Sequence, residues 1–313
     1  MQAGARLALY GAGLVVAFGG AFAVAGVLIP DNFVAAWAAG NETSGHNDGQ
    51  SVAAPEPATD ARSGLSLDTD GFLLSPIDAP TTIGEAGELS FQIQTAEGEP
   101  VTEFTEAHEK DLHLIVVRSD GTGFRHVHPE LDASTGTWSV PWTWEAAGSY
   151  RVYADFTPAA GDAEGLTLTR TVEVAGDVTP VTTEVQRTAE VDGFTVTLAG
   201  ELTAGEPGTL TLSVERGGMP VTALEPYLGA FGHLVALRNG DLAYLHVHPE
   251  GSEPEAGETG GPEIGFTAEA PTAGRYLLYL DFQVDGEVHT ASFVIDAVAG
   301  DGAGGEDAHS GGH

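Results

Sequence analysis

The chain contains no cysteine. Disulfides, thiolate zinc sites, iron–sulfur clusters and cysteine nucleophiles are therefore excluded, as is a blue-copper centre, which needs a Cys thiolate. Thioethers are nearly absent: Met1 and Met219 are the only two, too few for a Met-rich Cu(I) site. Basic residues are scarce as well, 11 Lys and Arg against 46 Asp and Glu, for a formal charge of -35, and Lys110 is the sole lysine. That imbalance disfavours nucleic acid and anionic membrane surfaces as partners. It suits a carboxylate-rich surface solvated in high salt. There is no Asp-x-Asp-x-Asp-Gly loop for Ca²⁺. The Gly-x-Ser-x-Gly elbow, the phosphate-binding glycine loop and the His-Glu-x-x-His helix are also missing. No catalytic residue is assigned and no enzymatic activity is expected.

What the chain does have is a repeated motif. Phe124-Arg125-His126-Val127-His128-Pro129-Glu130 returns as Tyr244-Leu245-His246-Val247-His248-Pro249-Glu250. Each copy has another histidine 13 residues before its first His, His113 and His233. Six of the 11 histidines thus form two matching triplets. The repeat extends further: Gly148-Ser149-Tyr150-Arg151-Val152-Tyr153-Ala154-Asp155-Phe156 matches Gly274-Arg275-Tyr276-Leu277-Leu278-Tyr279-Leu280-Asp281-Phe282.

Apolar alternation in short runs, broken by Gly, Pro, Asp and Asn, predicts an all-β chain with seven or so strands per copy. The expected organisation is residues 1–30 as a transmembrane anchor or signal peptide, 31–62 as a flexible linker, and 63–178 and 179–298 as two tandem immunoglobulin-like β-sandwiches. Residues 299–313 read as a disordered acidic tail holding His309 and His313. Leu7–Ile29 has no charge and is long enough to span a bilayer, with Arg6 before it and Asp31 after it. A retained single-pass anchor with the bulk of the chain extracytoplasmic is expected; a cleaved signal peptide ending at Ala21-Phe22-Ala23 is the rival. Asn41-Glu42-Thr43 is a glycosylation sequon in the linker. Trp138, Trp142 and Trp144 share one strand face and are expected to fill the first core.

Asn239-Gly240 predicts a two-residue type I′ hairpin loop, which sets Leu237 opposite Leu242 and His233 opposite His246. His248, two positions on, shares their face. In the first copy a Ser119-Asp120 loop sets His113 opposite His126, and an Asp120-Gly121 loop sets it opposite His128. Either register keeps all three on one face. Each trio, His113, His126 and His128 or His233, His246 and His248, is thus a candidate metal site, with two ions per chain. Asp155 and Asp281 are candidate fourth ligands or carboxylates that orient an imidazole. Three imidazoles favour Cu(II) or Zn(II) over hard cations, with Cu(II) the first choice. His108, in a polar loop, reads as solvated, and His289 as surface or core. The rival expectation is that the histidines only stabilise the sandwich of a structural or adhesive ectodomain.

Those runs, with His113-Leu114-Ile115-Val116-Val117-Arg118 and Leu242-Ala243-Tyr244-Leu245-His246-Val247-His248-Pro249, resemble a largely uncharacterised group. Its members are exported or membrane-anchored proteins of actinobacteria and archaea. The resemblance covers about residues 65–297. It implies an extracytoplasmic pair of Ig-like sandwiches, and the group brings no activity with it. More distantly, the chain is similar to small exported Ig-like domains linked with copper handling. Capture, delivery or sensing of a metal is the expected role, with the membrane and a metal transporter or other membrane protein as partners.

Overall fold

A computed structural model describes residues 64–159, 165–245, 247–255 and 257–300. The anchor, the linker with its sequon, the tail, and His46, His246, His309 and His313 lie outside the described residues. No helix among the described residues is long and apolar enough to cross a membrane.

The described chain is all-β. Its first copy runs β1 (Asp68–Thr69), β2 (Phe72–Leu74), β3 (Gly87–Thr95), β4 (Phe104–Thr105), β5 (Leu112–Arg118), β6 (Arg125–Val127), β7 (Glu130–Asp132), β8 (Thr137–Trp142), β9 (Gly148–Pro158) and β10 (Leu166–Val174). The second runs β11 (Thr188–Val191), β12 (Phe194–Ala199), β13 (Leu202–Thr203), β14 (Pro207–Arg216), β15 (Met219–Pro220), β16 (His233–Arg238), β17 (Tyr244–Leu245), β18 (Val247–Pro249), β19 (Glu263–Glu269), β20 (Gly274–Val284) and β21 (Glu287–Val298). Each copy is a two-sheet, immunoglobulin-like sandwich. The first has sheets ordered β1-β2-β3-β8-β7 and β10-β9-β5-β6. The second has β11-β12-β14-β19-β18 and β13-β21-β20-β16-β17.

Both cores are built by strand alternation. Leu89, Phe91 and Ile93 of β3 meet Leu112, Leu114 and Val116 of β5 in the first core, where Trp138, Trp142 and Trp144 are each 2% exposed. In the second, Phe194, Val196 and Leu198 of β12 and Leu210, Leu212 and Val214 of β14 face Tyr276, Leu278 and Leu280 of β20.

β5 departs from alternation: all seven of its residues are buried. Leu112, Leu114 and Val116 enter the first core, while Ile115 and Val117 enter a third cluster with Tyr153, Val235, Leu237, Leu242, Leu277 and Tyr279. That cluster joins the two sandwiches, which belong to one compact unit. Two hydroxyls tie the seam reciprocally. Tyr153 of the first copy donates to the Leu242 carbonyl of the second (2.5 Å), and Tyr279 of the second donates to the Gly121 carbonyl of the first (2.6 Å). Gly121 has φ +83°, and a Cβ there would sit 2.6 Å from Leu277 Cδ1 across the seam. Only glycine satisfies both demands.

The second hairpin differs from the two-residue loop expected at Asn239-Gly240. Leu237 pairs with Tyr244 and Ala236 with Leu245, a shift of two positions. Residues 239–242 form the loop, with Leu242 at φ +58°. The reason is tertiary. Leu242 is 3% exposed in the seam, and Asp241 pairs with Arg238 while accepting from the Ala243 N–H at 3.1 Å. In the first hairpin Ile115 pairs with His126 and Leu114 with Val127, the register that sets His113 level with His128.

Candidate metal centre

Parity along β5 decides where His113 points. It follows Ile115 and Val117 onto the seam face, and is 4% exposed. β6 runs alongside and brings His126, with His128 just past its end. These three histidines can hold a metal ion: one ligand atom from each lies within 4.8 Å of the others. His113 Nδ1 is 3.1 Å from His126 Nε2 and 3.2 Å from His128 Nε2. With metal–nitrogen bonds of ~2.0–2.1 Å, two donors on one ion stand about 2.9 Å apart at a right angle and about 3.4 Å apart at the tetrahedral angle. The two His113 spacings fall between these values, and the third pair, His126 with His128, lies within 4.8 Å, so the rings converge on one point without distinguishing tetragonal Cu(II) from tetrahedral Zn(II).

The tautomers are fixed from outside the trio. His113 Nε2 is 3.0 Å from the Ala107 carbonyl, which can only accept, so Nε2 carries the proton and Nδ1 keeps its lone pair. His126 Nδ1 is 2.8 Å from Asp281 Oδ2 of the second sandwich. Burial raises the Asp281 carboxyl to about 6, so at neutral pH it is a carboxylate that accepts from Nδ1–H. His126 Nε2 then holds a lone pair. Two lone pairs face each other across 3.1 Å, an arrangement that calls for a proton or a cation between them. The outer nitrogens of His113 and His126 are thus held by a backbone carbonyl and a carboxylate, as for metal-bound imidazole. Asp281 is itself fixed by the Thr290 hydroxyl at 2.5 Å.

All three rings are neutral near pH 7. Burial, then the neighbouring His113, lowers His126 to about 3. Burial, then His126, His113 and Lys110, lowers His128 to about 3. His113 is also lowered, chiefly by burial. Neutral imidazole is the form that binds metal.

The other expected ligands are distributed differently. His233 lies beside the first trio, its ring parallel to His113 at 5.6 Å and 5.0 Å from His126. His248 sits on β18, which pairs with β19 in the other sheet of its sandwich, and is exposed. Asp155 is opposite His113 in the β5–β9 register, and its Oδ1 accepts from Thr167 at 3.0 Å. Burial raises Asp155 to about 6. Among the described residues there is thus one trio, and the carboxylate that orients it comes from the opposite copy. His108, read from sequence as solvated, is exposed but has its ring 6.1 Å from His113 and 5.7 Å from His233. Its position five residues before His113 was the available signal. A cavity of about 980 Å³ opens beside the trio, lined by His108, His113 and Asp155 from one copy and His233, Tyr244 and Phe266 from the other. His289, on β21, bonds Asp192 at 2.9 Å away from this group.

The family model described as a domain of unknown function (DUF8832) matches residues 68–176 and again 189–299. The chain belongs to that family and carries its domain twice. Among curated proteins none matches the sequence at a significant level. Similar solved structures include invasin, a bacterial integrin-binding protein, at 12% identity and TM-score 0.23, over 73% of this chain and 39% of that one. The chain therefore spans about two fifths of the invasin chain. The D0-D1 domain of intimin is 13% identical with TM-score 0.22, over 72% of this chain and 97% of that one. Fibronectin(III)-like modules of Clostridium thermocellum CbhA are 14% identical with TM-score 0.19, over 72% and 95% of the two chains. These likenesses concern sandwich architecture and say nothing of function.

Proposed function

We propose that this tandem DUF8832 protein holds one transition-metal ion, Cu(II) or Zn(II), at His113, His126 and His128 in the seam between its two sandwiches. One observation carries the reading: the outer nitrogens of His113 and His126 are engaged by Ala107 and Asp281, so their lone pairs converge at 3.1 Å. A bound ion resolves that opposition; because all three donors belong to the first copy, the His126–Asp281 bond is what ties the site to the second. Capture, delivery or sensing of the metal fits three neutral protein donors, which leave a coordination position for an exchanging ligand. The uncharged run Leu7–Ile29 supports a membrane-anchored protein with this site outside the cytoplasm, where it meets a metal transporter or other membrane protein. Titration calorimetry of the full chain should find one tightly held Cu(II) or Zn(II), absent from His126→Ala. Equal stoichiometry in the two proteins overturns the assignment.

A second reading, a structural or adhesive ectodomain, is favoured by one specific observation. The His126–Asp281 bond and the two tyrosine bonds already span the seam without an ion. Melting with and without metal separates the two, because an ion that binds only the folded state raises the melting temperature by mass action.

A further inference from the structure

His233 is the histidine that the trio leaves unexplained. It lines the cavity and is half-buried there. Neither of its ring nitrogens hydrogen-bonds a described residue, and the half-buried ring borders the cavity, where a nitrogen can meet an entering ion. Its ring stands 5.0 Å from His126 and 5.6 Å from His113. Ring centres of two imidazoles on one tetrahedral ion are separated by roughly 5 Å. The trio's own separations are 5.3, 4.9 and 4.9 Å.

His108 continues the series outward. It is exposed, lines the same cavity, and its ring is 5.7 Å from His233. It belongs to a tight turn closed by reciprocal bonds between Ala107 and Lys110. His108 and Glu109 both adopt positive φ, +49° and +63°. Successive non-glycine residues in that region are costly and persist where the surroundings impose them, often at ligand sites. The carbonyl preceding this turn residue, that of Ala107, is the one that fixes the His113 tautomer. One turn thus presents His108 to solvent and orients an inner ligand. Lys110, Asp111 and Asp155 line the same cavity, which leaves it without a net positive charge to repel a cation.

We propose that His108 and His233 form a transfer path along which Cu(II) or Zn(II) passes between solvent and the three-histidine centre. The proposal rests on the reading that this centre binds the ion. Each step is a ligand exchange: the inner imidazole displaces a water from the ion, and a water takes the place of the outer imidazole as its metal–nitrogen bond breaks, with no electron changing hands. Bonds of ~2.0–2.1 Å let one ion touch two donors up to about 4.2 Å apart, so neighbouring rings can share it in transit. The acidic surface, at a formal charge of -35, concentrates cations at the mouth of the path.

Stopped-flow loading of Cu(II) into the full chain, followed by quenching of intrinsic fluorescence, tests this together with release to a chelator. His108→Ala should slow uptake and release by the same severalfold factor and leave the equilibrium affinity unchanged. His233→Phe, which keeps a ring and removes both donors, should slow them further. Unchanged rates in both variants overturn the path. So does a weakened affinity in His108→Ala, which would make His108 a resident ligand. Should His233→Phe not fold, the exposed His108→Ala decides alone. Failure of the unaltered chain to take up Cu(II) sinks the metal reading itself, an outcome distinct from normal binding at normal rates in the variants.

Discussion

The two copies carry the same His-Val-His-Pro-Glu run and put it to different use. In the first, β6 stays beside β5 through Val127, and the chain crosses to the other sheet only at β7, past Pro129. In the second, β17 ends at Leu245, and β18 has joined the other sheet by Val247. Crossing about three residues earlier takes His248 out to the surface, while His233 remains at the seam. The orienting carboxylate shows the converse. Asp281 of the second copy reaches over to His126, while Asp155 of the first bonds its own Thr167. Among the described residues the duplicated motif thus yields one trio of imidazoles, because a trio needs both the motif and a strand that keeps its partner long enough.

Three experiments sharpen that contrast. Acid should have the largest effect. In the unfolded chain the imidazoles titrate near 6.5, whereas in the fold His126 and His128 are held near about 3, and His113 and His233 are lowered as well. Below pH 6.5 the unfolded chain therefore binds protons that the fold refuses, so stability is full above that pH and is lost as pH falls toward about 3. Asp155 and Asp281, raised from 3.8 to about 6, oppose this between those values, because the fold protonates them first. Four imidazoles outweigh two carboxylates. The melting temperature of the metal-free chain should fall steeply from about pH 7 to about pH 4.5. Replacing His126 and His128 together should flatten that fall, and His248→Ala should leave it as it is. A fall of equal steepness in all three proteins would place the acid sensitivity elsewhere.

The carboxylates come next. Asp281→Asn should weaken Cu(II) or Zn(II) binding about 10–100-fold, the usual cost of losing a group that orients a ligating imidazole, and Asp155→Asn should have little effect. Equal losses in a competition assay would mean that the two carboxylates are equivalent, against the geometry.

The smallest effect concerns the reciprocal tyrosines. Tyr153→Phe and Tyr279→Phe each remove one bond across the seam, at about 1 kcal/mol apiece in chemical denaturation. Similar values would show that both ends of the seam bear load alike, and a cost confined to one would show that the pairing is lopsided.

Much of this was legible in the sequence. Two-residue alternation locates the strands, and the even spacing of Trp138, Trp142 and Trp144 places them in the first core. Parity puts His113, His126 and His128 on one face whatever the loop. The seam was harder to see, although Leu114-Ile115-Val116-Val117 is continuous rather than alternating, the pattern of a strand covered on both sides. Asn239-Gly240 gave a local turn signal that tertiary packing overrode, because Leu242 fills the seam and its carbonyl receives Tyr153. Nothing in the composition around His108 writes a left-handed turn, yet His108 and Glu109 both take positive φ.

The apolar patch on each copy decides how the pair is held together. Ile115 and Val117 on one side and Val235 and Leu237 on the other cover each other face to face, as in an isologous dimer. The outer sheets, by contrast, alternate polar residues toward solvent, as along β3 and β12. Each of these seam faces is thereby already covered by the other. Unlike beads on a string, the two copies are clasped together rather than strung apart.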